Sequence, residues 1–174
     1  MLMQPGIRTL PGLLAALRKA RTRSAYERVL RSAEVPAEEL AGQATWNNRH
    51  YTRNCLLRTA DMELMLICFE PGQGTSIHDY GAEEGWVRPI RGELAEERYR
   101  LDEDGMLVCT EERRLTVDDV SHLAKGASLH RFTNPLPMRS MSLNIYARPL
   151  RSWNVYDSRS GNGRLRPVPP VSKR

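Results

Sequence analysis

The chain has 174 residues, 40% of them apolar and 27% charged, which suits one domain with its own core and excludes a disordered or fibrous chain. No apolar run approaches the roughly 20 residues of a membrane-spanning helix, and the N-terminal MLMQPGIRTLPGLL lacks the regions of a signal peptide, so the expected location is the cytoplasm. The net charge of +5 comes from basic residues gathered near both ends, without the interleaved aromatics or motif of a nucleic-acid binder, so neither nucleic acid nor a membrane is expected as a partner.

Residues 9 to 43 read as helical. Leu10, Leu13, Leu14 and Leu17 recur at helical spacing, Ser24 is placed to cap a second helix through Tyr26, Val29 and Leu30, and EVPAEELAG starts a short third with Pro36 near its first turn and Gly42 at its end. After Trp46 the pattern changes to short strand-like runs: TRNCLLRT, MELMLICF, WVRPIR, ELAEERYRL, MLVCTEE, RRLTV, DVSHL, SLHRFT and MRSMSLNIYA. Between them stand the turn signals EPGQG, RG, DEDG, DD, AKGA and NPLP, with Gly105 of DEDG expected at positive φ in a hairpin. Such a series predicts an all-β sandwich or barrel.

The tail GNGRLRPVPPVSKR is rich in Pro, Gly and basic residues, and is expected to bury little and to end as an extended or disordered arm. The organisation is then a helical cap at 1–45, a β-rich body at 46–160 and a Pro/basic tail at 161–174, one domain overall. Cys55, Cys68 and Cys109 are an odd number without a CxxC pair, and read as buried reduced thiols. Met62, Met65, Met138 and Met141 read as core filler.

Two segments point to chemistry. In PGQGTSIHDYGAEEGWVRPIRGEL, Gly72 stands six residues before His78. In KGASLHRFTNPLP, His130 is four residues after Gly126 and four before Asn134. Histidines on neighbouring strands that point inward can share one divalent metal. These spacings resemble the two motifs of the cupin superfamily, which implies an all-β cupin (jelly-roll-like) β-barrel with N-terminal helices.

HYTRN at 50–54, SIHDY with GWVRPIRGEL, SLHRFTN and SLNIYARPL also occur in the order seen in cysteine dioxygenases and related thiol dioxygenases, over roughly residues 45 to 165. The chain is therefore similar to that family. The resemblance implies that His78 and His130 are metal ligands and that Tyr80 stands where the family has a further ligand histidine. It implies that Arg53 grips the substrate carboxylate with Tyr51 beside it, and that Tyr146 faces the bound substrate. Ser142 matches the serine of a Ser-His-Tyr relay in which Asn144 replaces the histidine. Gly85 sits where animal enzymes carry a cysteine cross-linked to the tyrosine. The implied cofactor is Fe(II), with nickel, cobalt or manganese as alternatives. The implied partners are a small thiol amino acid and O2, for a monomer or small homo-oligomer.

Three options stand for Tyr80: a phenolate ligand, a side chain turned away, or a site without metal. Glu83 or Glu84 is the candidate substitute, at most one of them facing inward. Asp79 should point away from His78; His122 reads as a surface or structural residue, His50 as a residue of the rim, and Trp153 as a packing aromatic beside the pocket. The function expected is metal-dependent oxygenation of the sulfur of L-cysteine or a related thiol carboxylate. The alternatives are oxidation redirected toward a rearranged product, and a non-enzymatic metal- or ligand-binding cupin.

Overall fold

The computed structural model describes residues 6–80, 83–124 and 129–172. The chain opens with helices α1 (Leu10–Lys19) and α2 (Arg23–Arg31) and a 3-10 helix at Ala37–Gln43. The α2 cap differs from expectation. Thr22, with extended backbone, accepts the Ala25 N–H on its side chain at 3.2 Å, while Ser24 lies inside the first turn. Leu13, Leu17, Tyr26, Leu30 and Leu40 are buried in one cluster with Leu64, Leu66, Trp86, Leu143 and Ile145, so the helices cover the outer face of a sheet.

Among the described residues eleven strands follow: β1 (Thr52–Arg58), β2 (Met62–Phe69), β3 (Ile77–His78), β4 (Glu84–Arg91), β5 (Leu94–Leu101), β6 (Leu107–Leu115), β7 (Ser121–Leu123), β8 (Leu129–Thr133), β9 (Ser140–Ala147), β10 (Ser152–Tyr156) and β11 (Gly163–Pro167). They form a five-stranded sheet in the order β1-β2-β9-β4-β7 and a six-stranded sheet in the order β11-β10-β3-β8-β5-β6, all pairs antiparallel. The expected all-β architecture is thus built as two sheets; among the described residues their ladders do not close into one hydrogen-bonded cylinder.

Side-chain alternation places the interior. On β2, Met62, Leu64, Leu66 and Cys68 join the helix-side cluster, whereas Met65, Ile67 and Phe69 join a second cluster with Tyr80, Phe132, Tyr146 and Trp153. β2 is apolar almost throughout because both of its faces are covered. On β9, Met141, Leu143, Ile145 and Ala147 face the helices, and Ser142, Asn144 and Tyr146 line a cavity on the other face.

Several expectations need correction. MLVCTEE and RRLTV are one strand, β6, paired along β5 with a register shift between Arg98 and Tyr99 that absorbs the irregularity. The DEDG hairpin is present, with Gly105 at φ +76 and Asp102 Oδ1 accepting the Met106 N–H at 2.8 Å. Cys109 is exposed rather than buried, because the outer part of the β5–β6 ribbon has no layer over it; Cys55 is half-buried and Cys68 buried. Met138 is exposed on the turn before β9. The tail does more than expected: β11 pairs with β10, and Val168 and Val171 pack against the inner cluster. The AKGA turn, including Gly126, lies outside the described residues except for Ala124.

Candidate metal centre

β3 has two residues, and its pairing brings His78 directly opposite His130 on β8. Directly opposed residues send their side chains to the same face of the sheet. Here that face is the interior, where both imidazoles are 1% exposed. Their Nε2 atoms approach to 3.1 Å, with the rings edge to face. His78 Nδ1 donates to the Ser76 carbonyl at 2.7 Å. A carbonyl can only accept, so the proton sits on Nδ1 and the His78 Nε2 presents a lone pair. Burial pushes the His78 pKa down to about 4, against the pull of the Ser76 hydrogen bond and of Asp79, so the ring is neutral at ordinary pH.

Alternation continues past the strand. Asp79 turns outward and accepts from Asn154 Nδ2 at 3.1 Å and from the Tyr156 hydroxyl at 2.9 Å. Tyr80 turns inward with His78. Its ring centroid is 4.9 Å from that of His130, 5.3 Å from His78 and 5.0 Å from Tyr146. Burial, chiefly, and then the neighbouring Tyr146, to which its phenol hydrogen-bonds, hold its pKa well above the usual tyrosine value. Gly85 on β4 lies opposite Tyr146; a Cβ there would stand 2.9 Å from Tyr80 Cε2 and 3.2 Å from Tyr146 Cδ1. The space a residue at 85 would use is filled by the Tyr80 ring.

Ser142, Asn144 and Tyr146 share the inner face of β9 and form a chain. Ser142 Oγ donates to Asn144 Oδ1 at 2.7 Å, and Asn144 Nδ2 donates to the Tyr146 hydroxyl at 3.2 Å. Arg53 on β1 is 5% exposed and borders the same cavity as Tyr51, whose ring stacks on Phe69 at 5.4 Å. Arg53 Nη1 donates to the Pro169 carbonyl, and Nη2 lies 3.7 Å from Glu63 Oε1. Nη2 is buried without a hydrogen-bond partner among the described residues. Trp153 covers His78, with ring centroids 4.0 Å apart. The cavity, which these residues and apolar side chains such as Phe69 and Phe132 line, leaves about 20 Å³ for the centres of water-sized molecules.

The other candidates fall elsewhere. Glu84 is held outside by Arg23 at 2.9 Å and His122 at 2.6 Å, with His122 stacked on Trp86. Glu83 borders a separate open cleft beside Arg148 and Arg151. His50 is exposed, with Nδ1 3.0 Å from the Tyr51 carbonyl. Among the described residues no group of three His, Cys, Asp or Glu could hold a metal. The donors that converge are therefore two imidazoles, with a phenol beside them.

That set fits a first-row transition metal. Imidazole nitrogens about 2.0–2.1 Å from one ion stand roughly 2.9–3.4 Å apart at octahedral to tetrahedral angles, and the 3.1 Å separation lies in that range.

Sequence reasoning missed two features. Glu63 is fully buried beside Arg53, pairs with Arg58 at 2.9 Å and accepts the Leu150 N–H at 3.1 Å. Its signal was an acid near the start of an otherwise apolar run. The second is the contact of Pro169 and Ser172 with Arg53, which a Pro-rich tail does not announce.

A profile of the family described as cysteine dioxygenase type I matches residues 12–159. Cysteine dioxygenase type 1 of Rattus norvegicus is 26% identical over 138 residues, covering 77% of this chain and 69% of that protein. The Homo sapiens protein of the same name is 25% identical over the same shares. Among solved structures, TT1209 from Thermus thermophilus superposes with a TM-score of 0.54 at 17% identity, over 63% of this chain and 93% of that one. A protein with a double-stranded beta-helix domain from Klebsiella pneumoniae also gives 0.54, at 16% identity over 74% and 87%. Both show likeness of fold.

Proposed function

Since the chain belongs to the cysteine dioxygenase type I family, we propose that it is a metal-dependent oxygenase that adds both atoms of O2 to the sulfur of L-cysteine or a close thiol carboxylate. The observation that carries this reading is the convergence of the His78 and His130 Nε2 atoms at 3.1 Å beside a cavity bordered by Arg53 and Tyr146.

Bound there, Fe(II), with nickel, cobalt or manganese as the other candidates, would supply the redox chemistry by which a thiolate sulfur combines with O2. His78 and His130 offer the metal neutral lone pairs. Tyr80 offers an oxygen, as the third ligand in place of a histidine. Its burial favours the neutral phenol, so a nearby cation is needed to release the proton. An anionic oxygen in place of an imidazole would also alter the metal preference.

Arg53 binds the substrate carboxylate, since a guanidinium fork can pair both oxygens, and Tyr51 packs beside it. The Tyr146 hydroxyl donates to charge developing near the sulfur. Ser142 and Asn144 orient that hydroxyl; an amide relays hydrogen bonds but no proton, so this chain aims Tyr146 and does not shuttle protons. Phe69, Phe132 and Trp153 keep water from the reacting groups.

The test is oxygen uptake by metal-loaded protein given L-cysteine, with the product identified by mass spectrometry. Cysteine sulfinate formed with matching O2 consumption supports the reading. A rearranged product supports redirected oxidation instead, and no consumption with iron, nickel, cobalt or manganese overturns the proposal.

A further inference from the structure

After β11 the chain turns back across the molecule to β1. Val168 N–H donates to the Arg151 carbonyl at 3.0 Å, and Ser172 N–H donates to the Arg53 carbonyl at 2.7 Å. Arg53 N–H donates to Ser172 Oγ at 3.2 Å, and Arg53 Nη1 donates to the Pro169 carbonyl. Val168 and Val171 pack, half-buried, against the cluster that holds Tyr80, Tyr146 and Trp153. Pro169 and Pro170 between them lack N–H groups and have fixed φ, so this segment stays extended whether seated or not and loses little entropy on seating. It is held by few bonds, at its two ends and at Arg53.

The contact with Arg53 is chemically specific. A carboxylate would pair with the guanidinium through two N–H groups side by side. The Pro169 carbonyl takes Nη1, while Nη2 is buried with no hydrogen-bond partner among the described residues. The cavity behind has about 20 Å³ for water centres, which is room for about one water and far from enough for an amino acid. With the arm in place, substrate cannot be both inside and held by both guanidinium nitrogens.

We infer that residues 168–172 are a lid on the substrate site, and that the Pro169 carbonyl holds the carboxylate position on Arg53 until substrate displaces it. This inference rests on the reading of Arg53 as the carboxylate grip. The exchange is favourable at the arginine, because a neutral acceptor is replaced by a charged one whose hydrogen bonds are stronger. It makes entry depend on the carboxylate: a thiol without one has nothing to put in place of Pro169. It also lowers apparent affinity by the fraction of time the arm is open; an arm seated about 90% of the time costs about tenfold in Kd.

The experiment is hydrogen–deuterium exchange on the full metal-loaded chain without oxygen, with and without L-cysteine and with cysteamine, which lacks the carboxylate. Saturating L-cysteine should speed exchange of the Val168 and Ser172 amides several-fold, leave the β10–β11 ladder unchanged, and have no counterpart with cysteamine. Unchanged or slowed exchange with L-cysteine, or an equal response to cysteamine, overturns the lid. Chain termination after Pro167, and separately Val171→Asp in the full chain, should tighten L-cysteine binding measured by calorimetry by about tenfold. Equal or weaker binding in both variants overturns it. An arm that responds to L-cysteine in a protein that consumes no O2 would uphold the lid and remove the oxygenase reading. L-cysteine that binds neither the full nor the shortened chain would remove both.

Discussion

The replacement Gly85→Ala tests how Tyr80 is housed. The added Cβ would stand 2.9 Å from Tyr80 Cε2, 3.2 Å from Tyr146 Cδ1 and 3.3 Å from the Ile145 carbonyl, where carbon atoms settle at about 3.5–4.0 Å. The Tyr80 ring would have to retreat by roughly 0.6–1 Å to restore that contact. It has little room, because His78, His130 and Tyr146 all stand against it. The backbone cannot yield instead: β4 is hydrogen-bonded to β9, which is flanked by β2. Overpacking of this kind costs about 1–3 kcal/mol, and the shortest contact belongs to Tyr80. In a Tyr80→Leu background, which has no Cε2 atom, the same Ala should therefore cost about 1 kcal/mol less. The assay is urea unfolding of the four metal-free proteins as a double-mutant cycle. Costs that add to within about 0.3–0.5 kcal/mol would refute the claim that Gly85 exists to admit the Tyr80 ring.

Other outcomes follow from the same geometry. His78→Ala and His130→Ala should each lose stoichiometric iron, read by elemental analysis of the purified protein; retention in both would remove the metal centre from this position. Arg53→Lys keeps the charge but loses the fork, and should raise KM for L-cysteine about tenfold or more in steady-state kinetics; an unchanged KM would detach Arg53 from the carboxylate. The His78 pKa falls from 6.5 to about 4 on folding, so between those values the unfolded chain binds more protons. Stability of the metal-free protein should thus be full above pH 6.5 and decline as pH falls toward 4, by about 3 kcal/mol from this group. Comparison of urea midpoints across that range with His78→Asn isolates the contribution, and an identical slope in the variant would refute it.

Much of the site was legible because a strand has a period of two. SIHDY places Asp79 on the face opposite His78, and SLNIY places Ser142, Asn144 and Tyr146 on the face opposite Leu143 and Ile145. Those statements need only local geometry. The α2 cap was misplaced because Thr22 and Ser24 have similar capping chemistry, and backbone angles chose between them. The Cys109 thiol was misjudged because an apolar-looking run says nothing about whether a second layer will cover it.

The sequence by itself determined the residue types of the candidate site, their alternation, the helical cap and the DEDG hairpin, all of which follow from spacing and propensity within a few residues. Only the tertiary structure decided which residues meet. The β3–β8 register sets His78 against His130, Glu63 is brought under Arg53 and Arg58, and the C-terminal arm crosses back to the Arg53 guanidinium. Each joins segments far apart in the chain, and the energy that selects them comes from burial and pairing of whole sheets, which no short stretch of sequence contains.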